Sequence, residues 1–247
     1  MQLTGPLRFS VVLPVYTEQD CLDAVLPELV SACERLGAYE LIAVDDGSSD
    51  DSYRLLVDGY ATHNPKIRVL RLDENSGQSA AMWTGFQAAR GPIVVTLDAD
   101  GQNDPADIRR VVECVEGGAD VCCGFRETRH DSMSKRLGSR LANAVRKRIL
   151  KDGIRDTGCP MKAYRAQFLK PLQYWNGMHR FLPALCQMQG AHVEQIPVSH
   201  RSRAAGKSKY TNWGRLMVTV RDLRGVAWLK SRSRRLSCRE WCPGEVP

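Results

Sequence analysis

The sequence predicts an α/β protein built on an open, largely parallel twisted sheet with helices on both faces. Two observations carry that expectation. Short β-branched runs alternate with segments of helical periodicity, and the first four runs end in polar or acidic residues, where ligands of such sheets bind. A chain of 247 residues that is 43% hydrophobic can form one domain, or one domain with an appendage, around a sizeable core.

The first strand is read from Phe9 to Val15 and the second from Leu41 to Val44, followed by Ile67 to Leu70, Ile93 to Leu97 and Val121 to Cys123. Between the first two, Leu22, Leu26, Leu29, Cys33 and Leu36 recur at helical spacing, with Pro27 expected to break or kink the helix. Ser79 to Ala89 is rich in helix formers, and Ile108, Val111, Val112 and Val115 mark another amphipathic helix. Further on, 135–148 reads as a helix with a solvated basic face and Leu137, Leu141, Val145 and Ile149 opposite. From residue 211 to 232 an apolar stripe of Trp213, Leu216, Met217, Val220, Leu223 and Ala227 runs beside Arg215, Arg221 and Arg224. That stripe suits either packing on the domain or contact with an anionic membrane surface. The expected organisation is a catalytic domain over 1–210, this helix over 211–232 and a disordered tail over 233–247.

A net charge of +7 suggests an anionic partner, and between Arg201 and Glu240 the only acids are Asp222 and Glu240. The nine cysteines show no paired metal-ligand spacing and read as reduced thiols, many of them core filler. Residues 1–9 lack the pattern of a secretory signal, and the best membrane-span candidate, Leu216 to Leu229, is interrupted by Arg221, Asp222 and Arg224. A cytoplasmic protein with at most peripheral membrane contact is expected.

The strongest local signal is Ile93-Val94-Val95-Thr96-Leu97-Asp98-Ala99-Asp100, an apolar strand running into two carboxylates. Carboxylates this close repel unless a cation or strong donors offset them. A diphosphate with Mg²⁺ or Mn²⁺ supplies that, since these ions use one or two protein carboxylates and take other oxygens from phosphates. The competing explanation is a solvated loop capping the helix after Asp104-Pro105. In Asp45-Asp46-Gly47-Ser48-Ser49-Asp50, Gly47 permits a tight turn and Ser49 or Asp50 can cap the next helix. Capping leaves two consecutive strand-end acids unexplained, whereas hydrogen bonds to a nucleobase or ribose explain them.

Together, Leu13-Pro14-Val15-Tyr16-x-Glu18, the Asp45–Asp50 segment, Asn75-x-Gly77 and Asp98-Ala99-Asp100-x-Gln102 resemble family 2 glycosyltransferases with the GT-A fold, whose sheet is mixed and whose nucleotide-binding half is Rossmann-like. The resemblance spans roughly residues 8 to 230 and is narrowest toward the polyprenyl-phosphate glycosyltransferases, the dolichyl-phosphate mannose synthase-like group. Gly124-Phe125-Arg126, Asp156-Thr157-Gly158-Cys159 with Lys162-Ala163-Tyr164-Arg165, and Arg201-x-Arg203-x-x-Gly206-x-Ser208-Lys209-Tyr210 carry that narrower likeness.

The resemblance implies a nucleotide-sugar pocket lined by Pro14, Tyr16, Glu18 and Asp46, with Asp45 and Asp98 contributing. It implies that Asp98, Asp100 and Gln102 hold the metal and diphosphate, and that Arg126, Arg136, Ser139 and Arg140 bind the acceptor phosphate. Asp156 would bind the sugar or orient the acceptor, and Arg203 and Lys209 would close over the donor diphosphate. The implied reaction moves a sugar from a UDP- or GDP-linked donor to a polyprenyl phosphate with inversion. Asp98, Asp100, Arg126, Arg203 and Lys209 are then the catalytic set. Many relatives carry transmembrane helices after the catalytic domain and this sequence shows none, so retention at the membrane would call on a partner membrane protein. The alternatives are a family 2 enzyme with a non-lipid or polysaccharide acceptor, and a non-catalytic nucleotide- or nucleic-acid-binding module. Acidic strand ends would repel a phosphate backbone, and no nucleic acid partner is expected.

Overall fold

The computed structural model describes residues 5–127, 144–201 and 212–233, and for 212–219 the backbone alone. The first half alternates strand and helix: β1 (Phe9–Val15), α1 (Gln19–Glu34), β2 (Tyr39–Asp45), the short α2 (Ser52–Arg54), β3 (Ile67–Arg71), α3 (Gln78–Ala88), β4 (Ile93–Thr96), α4 (Ile108–Glu116) and β5 (Val121–Arg126). Then come α5 (144–150), β6 (Lys162–Arg165), α6 (Ala166–Leu169), α7 (Leu182–Met188), β7 (Val193–Val198) and α8 (Asn212–Arg232). The seven strands form one mixed sheet in the order β3-β2-β1-β4-β6-β5-β7.

β1 lies between β2 and β4 and is parallel to both. Alternate side chains of a strand point to opposite faces, so its apolar run must be covered twice. Val11, Leu13 and Val15 join Leu22, Leu26 and Leu29 of α1 and Ile108, Val111 and Val115 of α4 in one core. Val12 joins Ala81, Met82 and Phe86 of α3, Leu182 and Leu185 of α7, and Leu223 and Val226 of α8 in the other. α3 approaches β1 so closely that a Cβ at Gly85 would sit 2.4 Å from Val12 Cγ1.

The five expected strands are present, and the sheet gains two more. β6 runs antiparallel between β4 and β5. β7 lies at the sheet edge, parallel to β5, where Pro197 is tolerated because an edge strand need not donate on its outer side. α1 is not broken at Pro27 but continues through it, held by the buried Leu22, Leu26 and Leu29.

The reading of 135–148 is corrected where it can be compared, since 135–143 lies outside the described residues. Val145 and Ile149 are exposed, whereas Arg146 is buried. Its guanidinium pairs with Asp152 and donates to the Ile154 carbonyl at 2.6 Å, so it turns inward while the apolar side chains face out. In α8, Leu223 is buried and Ala227 packs against the core, while Val220 is 39% exposed. The side chains of Trp213, Leu216 and Met217 and the tail over 234–247 lie outside the described residues. Of the cysteines, Cys33, Cys122, Cys123, Cys159 and Cys186 are buried free thiols, Cys21 is buried, and Cys114 is half-buried.

Candidate functional site

A cleft opens at the carboxyl ends of β1, β2 and β4, where parallel strands leave their loops to diverge. Pro14, Val15, Tyr16 and Glu18 line it from β1 and the turn after it. The acid-rich loop after β2 holds that turn: Ser48 Oγ accepts from Thr17 N–H at 2.9 Å and Ser52 Oγ from Glu18 N–H at 2.9 Å. Asp50 accepts from Gln19 N–H and Ser52 N–H, so its carboxylate joins the starts of two helices.

Asp46 also faces the cleft, and its two oxygens accept from Ser76 N–H and Gly77 N–H, each at 2.8 Å. Burial pushes its pKa above the ordinary aspartate value, and neighbouring Asp45 adds to the rise while the two amides oppose it. Gly47 turns the chain at φ +66°, and a Cβ there would lie 2.7 Å from the Glu74 carbonyl carbon, so the loops after β2 and β3 meet backbone to backbone. Asp45 is fully buried and does not line the cleft; Oδ2 accepts from Ser48 N–H at 3.2 Å and faces Arg71 Nε at 3.4 Å. Its Oδ1 is buried without a hydrogen-bond partner among the described residues.

Asp98 and Asp100 complete the acidic wall. Gln78 Nε2 donates to Asp98 Oδ1 at 2.9 Å, and Gln102 N–H donates to Asp100 Oδ1 at 3.1 Å. The side chain of Gln102 does not line the cleft, and its carbonyl accepts from Arg201 N–H at 2.9 Å. Arg201 also pairs with Glu28 and Asp104, which fixes its side chain beside the acidic loop. Arg203 and Lys209 lie outside the described residues.

Arg126 and Asp156 sit apart from the cleft lining and bind each other. Arg126 Nε meets Asp156 Oδ2 at 2.8 Å and Nη2 meets Oδ1 at 3.1 Å, a bidentate pair. Gly158 N–H also donates to Asp156 Oδ1, and the buried Lys162 donates to the Thr157 and Cys159 carbonyls of the same loop. Arg136, Ser139 and Arg140, read as acceptor-phosphate ligands, lie outside the described residues.

Among the cleft residues absent from the sequence-derived site are Asn75, Gly77 and Gln78. Their signal was the polar Asn75-Ser76-Gly77-Gln78 stretch at the end of the third strand. Among the described residues no group of three or more His, Cys, Asp or Glu is arranged to hold a metal unaided. Asp98 and Asp100 on one wall nevertheless fit an ion that takes its remaining oxygens from a diphosphate and water.

The open mixed α/β sheet, with an acidic cleft over its central strand ends, defines a protein of the GT-A fold class. The chain belongs to glycosyl transferase family 2, whose family model matches residues 10–172. Undecaprenyl-phosphate 4-deoxy-4-formamido-L-arabinose transferase of Edwardsiella ictaluri is 39% identical over 202 residues, or 81% of this chain. The chain spans 62% of that relative's length. Among solved structures, glucosyl-3-phosphoglycerate synthase of Mycobacterium tuberculosis with Mn²⁺ and UDP-glucose superposes with a TM-score of 0.65 at 18% identity, over 91% of this chain and 79% of that one. S. aureus TarS with UDP-GlcNAc superposes with a TM-score of 0.61 at 18% identity, over 89% and 66% of the two chains. These two structural likenesses establish the shared fold.

Proposed function

We propose that the chain transfers a sugar from a UDP- or GDP-linked donor to a polyprenyl phosphate. The observation that carries the proposal is the meeting of Asp46, Asp98 and Asp100 in one cleft with Pro14, Tyr16 and Glu18. The acceptor class is supported by the relative whose name states an undecaprenyl-phosphate transferase.

In this reading Asp46 and the β1 turn bind the nucleoside, and the buried Asp45 supports their loop by accepting from Ser48 N–H. Asp98 and Asp100, with Gln102 beside them, would hold Mg²⁺ or Mn²⁺ together with the diphosphate. Such an ion, when bound, draws negative charge from a departing diphosphate. The acceptor phosphate oxygen forms the new bond to the anomeric carbon as the bond to the diphosphate breaks on the opposite face, which inverts the configuration. No enzyme nucleophile is required. A phosphate monoester has a second pKa of about 6 and is largely dianionic at neutral pH, so no strong base is required either. Arg126, with Arg136, Ser139 and Arg140, receives the acceptor phosphate, Asp156 orients Arg126, and Arg203 and Lys209 cover the donor diphosphate.

Residues 1–210 form the catalytic domain in this account, 211–232 touch a membrane at its cytoplasmic face, and a membrane protein partner assists retention. Exposed Val220, Trp228 and Leu229 of α8 and Val145 and Ile149 of α5 support the contact, with exposed Arg221, Arg224 and Arg232 suited to anionic headgroups. Lys230 donates to the Leu150 carbonyl and joins the two helices. Among the described residues no helix is long and apolar enough to cross a membrane.

The test is transfer by the purified chain from a panel of UDP- and GDP-sugars, including a 4-deoxy-4-formamido-L-arabinose donor, to undecaprenyl phosphate or to soluble acceptors. Glycolipid formation is expected. Transfer to soluble acceptors alone would remove the lipid-phosphate assignment.

A further inference from the structure

We propose that Gln78 is a positioning residue whose side-chain amide sets the orientation of the Asp98 carboxylate for the metal and diphosphate. The inference rests on the metal–nucleotide reading of the cleft. Gln78 opens α3 on the loop after β3, and Asp98 lies on the loop after β4, so the 2.9 Å bond from Nε2 to Oδ1 ties two separate walls of the cleft together.

The donor end of this bond has little freedom to drift, because its neighbours on both sides are anchored. Before it, the amides of Ser76 and Gly77 are held by the two oxygens of Asp46. After it, Ser79 is fully buried, and its Oγ accepts from Gly177 N–H at 3.0 Å and from His179 N–H at 3.4 Å. The same Oγ lies 2.6 Å from His179 Nδ1. Residue 78 therefore projects from a backbone fixed by β2 on one side and by the segment before α7 on the other.

The chemistry of the donor matters as much as its place. A neutral amide fixes one oxygen, and with it the plane of the carboxylate, without cancelling the charge that attracts a cation. A lysine or arginine here would neutralise Asp98, and a glutamate would repel it. Groups that orient metal-ligating carboxylates in this way typically change metal affinity about 10–100-fold when removed.

The experiment is Mn²⁺ titration of the full chain, followed by electron paramagnetic resonance at saturating UDP, for wild type, Gln78→Met and Gln78→Ala. Methionine keeps the length and helix preference of glutamine but cannot donate. Mn²⁺ binding about 10–100-fold weaker in both variants is expected, with melting temperature unchanged. Unchanged Mn²⁺ affinity overturns the proposal, as does a loss that follows a fall in melting temperature, which would mark a structural role. Wild-type protein that binds UDP but no Mn²⁺ overturns the metal reading of the cleft and this inference with it. Intact wild-type binding with unaffected variants removes the Gln78 role alone.

Discussion

Arg126 at the end of β5 and Asp156 form a bidentate ion pair, with Nε–Oδ2 and Nη2–Oδ1 separations of 2.8 and 3.1 Å. The two side chains are 14% and 5% exposed, so the pair is largely withdrawn from water. Removing one partner of such a pair strands the other's charge and costs about 3–5 kcal/mol. Asp156→Ala should destabilise the protein by about that amount in urea denaturation, and a double-mutant cycle with Arg126→Ala should be strongly non-additive. Additive losses would show that the two side chains act separately. Where transfer can be measured, Asp156→Asn should raise the acceptor KM, because Arg126 loses part of its orienting partner.

Glu40 gives the fold a pH dependence of known sign. It is fully buried, and burial alone would raise its pKa. Hydrogen bonds from Ser10 Oγ, Arg90 N–H and Arg68 outweigh that and hold it below the ordinary value of 4.5. A depressed carboxylate stabilises the fold above its unfolded pKa, and that stabilisation is lost as pH falls through the folded pKa. Wild type should therefore lose stability below pH 4.5, and Glu40→Gln should lose less over the same range, as read from urea midpoints measured against pH.

Gly47→Ala should cost about 1–3 kcal/mol, because the residue is held at φ +66° and its Cβ would press on the Glu74 and Asn75 backbone at 2.7 and 2.8 Å. Relief of that contact would displace the loop carrying Asn75, Gly77 and Gln78, so UDP affinity should fall along with stability. Calorimetric titration with UDP beside urea denaturation checks both. Unchanged UDP affinity would show that the loops after β2 and β3 move independently.

Local patterns made β1 to β5 legible, because buried parallel strands carry unbroken apolar runs. β6 hid because Lys162-Ala163-Tyr164-Arg165 has charges at both ends and pairs antiparallel through contacts distant in sequence. Arg146 was misread on its face of the helix because its partner Asp152 lies beyond the helical pattern. At the site, acids at strand ends were visible because strands of this kind seldom end in consecutive carboxylates. Gln78 was not singled out because a glutamine in a first helical turn is unremarkable until Asp98, 20 residues on, is brought beside it. The Arg126–Asp156 pair was unreadable for the same reason, with 30 residues between partners that were assigned separate contacts.

The most direct test of the central claim is glycolipid formation from labelled nucleotide-sugar and undecaprenyl phosphate by wild type and Asp100→Ala, each with Mn²⁺ and with EDTA. The account predicts a labelled lipid product only for wild type with metal, with transfer by Asp100→Ala at least ~100-fold lower. Equal transfer by the variant, or wild-type transfer unaffected by EDTA, would contradict the assignment of the acidic wall as the metal–diphosphate site.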